Sequence, residues 1–210
     1  MHGKESGITE TKTQSLRREC EEMNEAVKKK IAIGVEDFKR IIDKNGYFVD
    51  KTLMIQKLIE SEAMVTLFTR PRRFGKTLNQ FMIRRFFEDE ITEKGEKVDN
   101  GYLFDGLKIA ECGEEILKHQ QQYPVIFMTL KSAKQPNFEM AYGALADEIY
   151  NEFMRHRYVL QSDALLPIEK ERYENLINRR AGKEEIAKAF AFLSMCLFKY
   201  HKKKAIILID

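Results

Sequence analysis

Apolar positions recur along the chain in two rhythms, and their alternation predicts strands interleaved with helices. Compact apolar runs at residues 64–69 (MVTLFT), 123–130 (YPVIFMTL) and 205–210 (AIILID) read as buried strands. Helical spacing fills the intervals. Leu53, Met54, Leu58 and Ile59 point inward on a helix that Asp50 or Thr52 can cap. Leu78, Phe81, Met82 and Phe86 share one face of the next helix, with Arg84, Arg85 and Glu88 away from it. A long amphipathic helix carries Phe138, Ala141, Tyr142, Leu145, Ile149 and Phe153, and a further helix carries Ile186, Phe190, Leu193, Leu197 and Tyr200. Weaker signals give a short helix over 37–42, a turn at Asn45-Gly46 and a β-prone Tyr47-Phe48-Val49. Residues 89–122 read as a polar surface excursion. Residues 1–30 have too few large apolar side chains to bury much surface, and are expected to be flexible with a solvated helix over 16–30. The expected fold class is α/β, a parallel sheet flanked by helices.

Composition adds bounds. The 210 residues are 43% hydrophobic and 33% charged, enough for one α/β domain with a sizeable core. A net charge of +3 does not by itself argue for nucleic acid, so any basic partner surface would be local. Cys20, Cys112 and Cys196 are far apart and odd in number, which suits reduced thiols. His2, His119, His156 and His201 do not fall at metal-ligand spacing with cysteine, arguing against zinc. No apolar run approaches the roughly 20 residues of a membrane-spanning helix. The N-terminus lacks an apolar signal core, so a cytoplasmic location is expected.

The candidate chemistry follows the first apolar run: Arg70-Pro71-Arg72-Arg73-Phe74-Gly75-Lys76-Thr77, then a helix. Phosphate groups bind where backbone N–H groups converge at a helix N-terminus, aided by the helix dipole. Gly75 lets the backbone come close and adopt conformations closed to other residues. Lys76 can reach the β- and γ-phosphate oxygens, and Thr77 puts a hydroxyl in the first turn where it can hold Mg²⁺. The candidate nucleotide-binding set is therefore Arg72, Arg73, Phe74, Gly75, Lys76, Thr77 and Leu78. The general pattern GxxxxGK[ST] has glycine where this chain has Arg70. Arg72 and Arg73 are open to contact with phosphate, solvent or a partner. The competing bland reading is a basic turn with a helix-capping threonine. An acid closing an apolar strand near such a loop holds the Mg²⁺ shell in P-loop ATPases, and Asp210 has that position, so Thr77 and Asp210 are the candidate metal residues.

Five stretches taken together resemble a known family: IGVEDFKRIIDKNGYFVDKT, VTLFTRPRRFGKTLN, YLFDGLKIA, YPVIFMTLK and AIILID. They occur in the order found in the AAA-ATPase-like proteins of bacteria and archaea, and RPRRFGKT without the first glycine resembles that family's own form of the loop. The resemblance implies a P-loop NTPase-type domain over residues 31–210 with ATP and Mg²⁺ as ligands. It carries over Lys76 and Thr77 as nucleotide and Mg²⁺ positions and Asp210 as the metal-site acid. It also implies that a PD-(D/E)XK nuclease-like domain often follows. The family's acidic strand runs on into a glutamate and tyrosine, so the resemblance implies a part truncated after the Walker B strand. Such a part would leave a gap in the sheet between 65–69 and 205–209 or would re-pair with exposed edges, and hydrolysis would be expected only in a full-length form. The role of Asp50 and Lys51 in YFVDKT stays open between a nucleotide-base pocket and a packing anchor.

The leading expectation is an ATP-binding module. The alternatives are a non-catalytic nucleotide-binding or protein-interaction remnant, and a nucleic-acid-associated module using Arg70, Arg72, Arg73, Arg84 and Arg85.

Overall fold

The computed structural model describes residues 30–31, 34–71 and 73–210. The expected flexible segment and solvated helix of residues 1–30 lie outside the described residues, save Lys30. The described residues fall into two compact units. One holds residues 30–31, 34–35 and Arg40–Val49; the other holds Glu36–Lys39 and Asp50–Asp210.

Helix α1 (Phe38–Asp43) forms within a residue of its expected bounds. In the first unit the Asn45-Gly46 turn forms as expected: Asn45 takes a φ of 48°, and the Gly46 N–H donates to the Ile41 carbonyl at 2.8 Å. The β-prone Tyr47-Phe48-Val49 run is not a strand; the Tyr47 N–H instead bonds the Lys30 carbonyl at 2.8 Å.

The second unit runs α2 (Leu53–Glu60), α3 (Lys76–Phe87), α4 (Glu114–Leu117), β1 (Val125–Met128), α5 (Phe138–Arg155), α6 (Pro167–Ile177), α7 (Lys183–Ala187), α8 (Ala189–His201) and β2 (Ile206–Ile209). Strands β1 and β2 pair in parallel, Val125 opposite Ile206 and Met128 opposite Ile209. Parallel neighbours need a long crossover, supplied here by α5 to α8. Side chains alternate across β1. Ile126 enters the core built by Ile149 and Phe153 of α5, Tyr173 of α6 and Leu193 and Leu197 of α8. Phe127 faces the other way, its ring 4.9 Å from that of Phe81 on α3. The small parallel sheet therefore has helices on both faces, consistent with α/β.

Several expectations are corrected. Residues 64–69 are not a buried strand: all of 61–70 is exposed and irregular, with Val65 at 88% and Leu67 at 83% relative exposure. An extended run becomes a strand only when its N–H and C=O groups find a ladder. The only two-stranded ladder among the described residues joins β1 to β2, and the run faces Ile209 across an open cleft. Residues 89–122 are not a surface excursion, because Leu103, Phe104, Ile109 and Ile116 are buried; Phe104 packs 5.3 Å from both Phe38 and Phe86. On α2 the inward residue is Ile55, fully buried, while Leu53 is exposed. Helix α6 escaped the periodicity reading. Pro167 opens it, and the Glu169 carboxylate accepts from the Leu166 N–H at 2.8 Å, a start signal legible in the sequence. The last apolar stripe spans two helices, α7 and α8, rather than one.

Arg84, Arg85 and Glu88 do not face away from the packed side of α3. Glu88 is 1% exposed and accepts from the Arg84 Nε at 2.8 Å, while Arg85 pairs with Glu90. Glu88 also meets Arg155, which in turn pairs with Glu152. This network seals the edge of β1 that β2 leaves open. The Phe127 N–H donates to Glu152 Oε1 at 2.7 Å, and the Val125 carbonyl accepts from Arg155 and, at 3.1 Å, from His156 Nε2. An unpaired strand edge is thus satisfied by side chains of α5 and the residue after it.

Burial alone would raise the Glu152 pKa, but Arg155 and His156 outweigh it and hold the carboxyl well below its usual range. His156 is pushed down by burial first and by Arg155 second. Both shifts carry the same sign. Where the unfolded chain binds more protons than the folded one, stability rises with pH. His156 therefore withdraws stability as pH falls below about 6.5, and Glu152 withdraws more as pH falls below about 4.3 and on toward its folded value. Denaturant midpoints between pH 8 and pH 4 are expected to fall steadily on acidification; a flat profile would refute a neutral buried His156.

Candidate functional site

The loop at 70–77 leads into α3 through Gly75, which takes φ 74° and ψ 27° as the residue before the helix. That left-handed conformation is costly for a side chain and open to glycine. A Cβ placed there would lie 4.0 Å from the Lys51 ammonium, so Lys51 stands beside the loop. Arg73 also has a positive φ, of 68°, and with Phe74 is exposed, whereas Leu78 is half-buried. Arg72 lies outside the described residues. The Lys76 side chain folds back across the loop, its ammonium donating to the Arg70 carbonyl at 2.9 Å.

The parallel ladder carries Asp210 to the same place. The Asp210 N–H donates to the Met128 carbonyl at 2.9 Å, and the Leu130 N–H donates to the Asp210 carbonyl at 2.8 Å. With the backbone fixed on both sides, the carboxylate meets the first turn of α3: Thr77 Oγ1 donates to Asp210 Oδ2 at 2.8 Å. Gln80, one turn further on, donates to the Ile209 carbonyl at 2.8 Å and ties α3 to the outer edge of β2. The two candidate metal residues, 133 positions apart in sequence, are therefore in direct contact.

A third residue joins them. Lys131 leaves the carboxyl end of β1 as Asp210 leaves that of β2, and its ammonium lies 2.8 Å from Glu36 Oε2, 3.0 Å from Thr77 Oγ1 and 3.2 Å from Asp210 Oδ2. Partial burial works against the charge, but Glu36 and Asp210 more than compensate and raise the Lys131 pKa above its ordinary value. The donor set of a hydroxyl and a carboxylate is hard oxygen, as Mg²⁺ prefers, and the point already draws a cation. Among the described residues no group of three or more His, Cys, Asp or Glu could hold a metal. A divalent ion here would thus depend on few protein ligands, with water and ligand oxygens completing its shell.

Next to Lys76 opens a cleft of about 850 Å³, lined by Lys51, Phe68, Phe74, Lys76, Asn79 and Ile209 among others. Its size lies in the range of small-molecule sites. Asp50 does not line it. Its carboxylate accepts from the Thr52 N–H at 2.8 Å, the Thr52 hydroxyl at 2.6 Å and the Lys108 N–H at 2.8 Å. Burial would raise its pKa, and these hydrogen bonds lower it further than burial raises it. Of the two roles left open for YFVDKT, Asp50 has the packing one.

Sequence reasoning missed Lys131, Glu36 and Gln80. Lys131 had a usable signal, since polar residues just past the carboxyl ends of parallel strands line the crevice of open α/β sheets. Glu36 and Gln80 had none. Arg84 and Arg85, candidates for a nucleic-acid surface, have side chains only 11% and 12% exposed and are held in ion pairs.

No helix among the described residues is long and apolar enough to cross a membrane. No curated protein and no solved structure gives a significant match to the chain. One family model, described as "Predicted AAA-ATPase", matches residues 32–210 and so takes in the loop, Lys131 and Asp210. The chain belongs to the AAA-ATPase-like family.

Proposed function

We propose that the chain binds a nucleoside triphosphate, ATP in the first instance, together with Mg²⁺ at the loop of residues 70–77. The observation that carries this reading is the 2.8 Å contact between Thr77 and Asp210. A hydroxyl at the start of a helix and an acid at the end of a neighbouring strand meet where a phosphate-bound divalent ion would sit. The Gly75 conformation, the exposed ammonium of Lys76 above the loop and the adjoining cleft support it. Phe74 lines the cleft and Lys51 adds a second positive charge beside Gly75; on this reading Arg73, in the loop, and Leu78, just past it, would border the ligand. When bound, Mg²⁺ would neutralise charge on the phosphate oxygens; Thr77 and Asp210 would orient it. Hydrolysis is not part of the proposal for this chain alone, since both carboxylates at the cluster, Asp210 and Glu36, are engaged with Thr77 and Lys131.

Thr77→Ala removes one metal ligand and leaves the loop backbone intact. Titration with a fluorescent ATP analogue is expected to show wild-type affinity that rises with Mg²⁺ and a variant that has lost most of that rise. An unchanged Mg²⁺ dependence in the variant would remove Thr77 from the site.

A second reading has its own observation. Val65, Leu67, Ile207 and Ile209 are large, apolar and exposed, and such surface often marks a place where another protein segment packs. A nucleotide-binding interaction module without turnover is therefore the alternative. Tight nucleotide binding with no phosphate release would favour it.

A further inference from the structure

We infer that Lys131 is a built-in stand-in for the divalent cation: its ammonium holds the Thr77 hydroxyl and the Asp210 carboxylate in place and keeps free metal out until nucleotide arrives. The inference rests on the nucleotide reading above and goes beyond it by assigning a residue that restricts when metal enters.

The geometry is that of a cation among its ligands. The Lys131 Nζ contacts oxygens from three separate places in the chain: Glu36, the first turn of α3 and the end of β2. Thr77 Oγ1 and Asp210 Oδ2, the two oxygens a metal would need, also touch each other. An ammonium is a compact point charge that fits an oxygen cage without the geometry a divalent ion demands. Asp210 has a side chain only 10% exposed, and burying its charge without a partner would be costly. Lys131 supplies that partner. Its side chain is half exposed and flexible, so it can leave when the triphosphate brings a divalent ion with it. Glu36, 61% exposed in its side chain, offers the displaced ammonium a resting partner.

A free divalent ion must compete with this fixed charge, so wild-type protein without nucleotide is expected to bind Mn²⁺ weakly. Lys131→Met removes the competing charge and is expected to tighten Mn²⁺ binding by about tenfold or more. Lys131→Gln, a second neutral replacement, is expected to do the same. Lys131→Arg keeps the charge and should stay weak. The readout is free Mn²⁺ followed by electron paramagnetic resonance, which does not depend on turnover. Adding Asp210→Asn to Lys131→Met is expected to abolish the gain. The inference is overturned if both neutral variants bind Mn²⁺ as wild type does, or if the gain survives Asp210→Asn. Wild-type stabilisation by Mg²⁺-ATP, measured in parallel, separates the two levels. If that stabilisation is present while the Mn²⁺ gain is absent, only the role of Lys131 fails. If it is absent, the nucleotide reading itself fails.

Discussion

Glu152→Ala is expected to destabilise the protein by about 3 kcal/mol, a loss typical of removing one partner from a buried ion pair. Three things fail together. The Phe127 N–H loses its acceptor at a partly buried strand edge; a fully buried unsatisfied donor costs about 1–3 kcal/mol, which bounds this loss. Arg155 loses one of its two carboxylates and keeps only Glu88. His156 loses the carboxylate 3.4 Å from its Nε2. Glu152→Gln keeps an oxygen that can accept from Phe127 and is expected to lose less, so the pair separates the hydrogen bond from the charge. Denaturant midpoints of the two variants and wild type, compared at pH 7, provide the measurement. A change under about 0.5 kcal/mol, the scale of ordinary surface substitutions, would mean that the edge of β1 does not depend on this clip. The effect would reach the site as well, because β1 leads into Lys131 and its pairing sets the position of Asp210.

Lys76→Ala is expected to weaken Mg²⁺-ATP binding by about 10- to 100-fold while leaving the fold intact. The side chain is exposed and its bond to the Arg70 carbonyl spans a surface loop, so little stability depends on it. Hydrogen bonds to a charged partner are worth about 1.5–3 kcal/mol, which gives that range of affinity. The ammonium is held by a neutral carbonyl, a partner that triphosphate oxygens readily outcompete. Isothermal titration at fixed Mg²⁺ reads the loss directly, and equal affinities would place Lys76 outside the ligand's reach.

What the sequence made legible follows the reach of each signal. The strands at 125–128 and 206–209 were readable because short apolar runs between turn signals have few other destinations. The long helix α5 was readable from its repeated apolar spacing. The contact between Thr77 and Asp210 was foreseeable because both read as candidates for one metal ion, and two such residues must lie close together. Residues 64–69 are a compact apolar run like the two strands yet lie exposed, because strand formation depends on a neighbour that a single run cannot specify. Arg84, Arg85 and Glu88 misled for the opposite reason. Charged residues on a helix read as solvent-facing, and only the fold reveals that Arg155 and Glu90 complete their pairs. Lys131 lay inside a matching stretch without an assigned role, since its meaning comes from Glu36 and Asp210, 95 and 79 positions away in the chain.

The central claim is that the loop and Asp210 form one working nucleotide site. Thermal unfolding with and without Mg²⁺-ATP, on wild type and on Lys76→Ala, tests it most directly, because a ligand that binds only the folded state must stabilise it by mass action. At a ligand concentration about a hundred times the dissociation constant the gain is about 2.7 kcal/mol, a rise of several degrees for a chain of this size. The account predicts a cooperative transition that Mg²⁺-ATP raises in wild type and leaves nearly unmoved in Lys76→Ala. A wild-type transition that Mg²⁺-ATP does not move, or a shift of equal size in the variant, would contradict it.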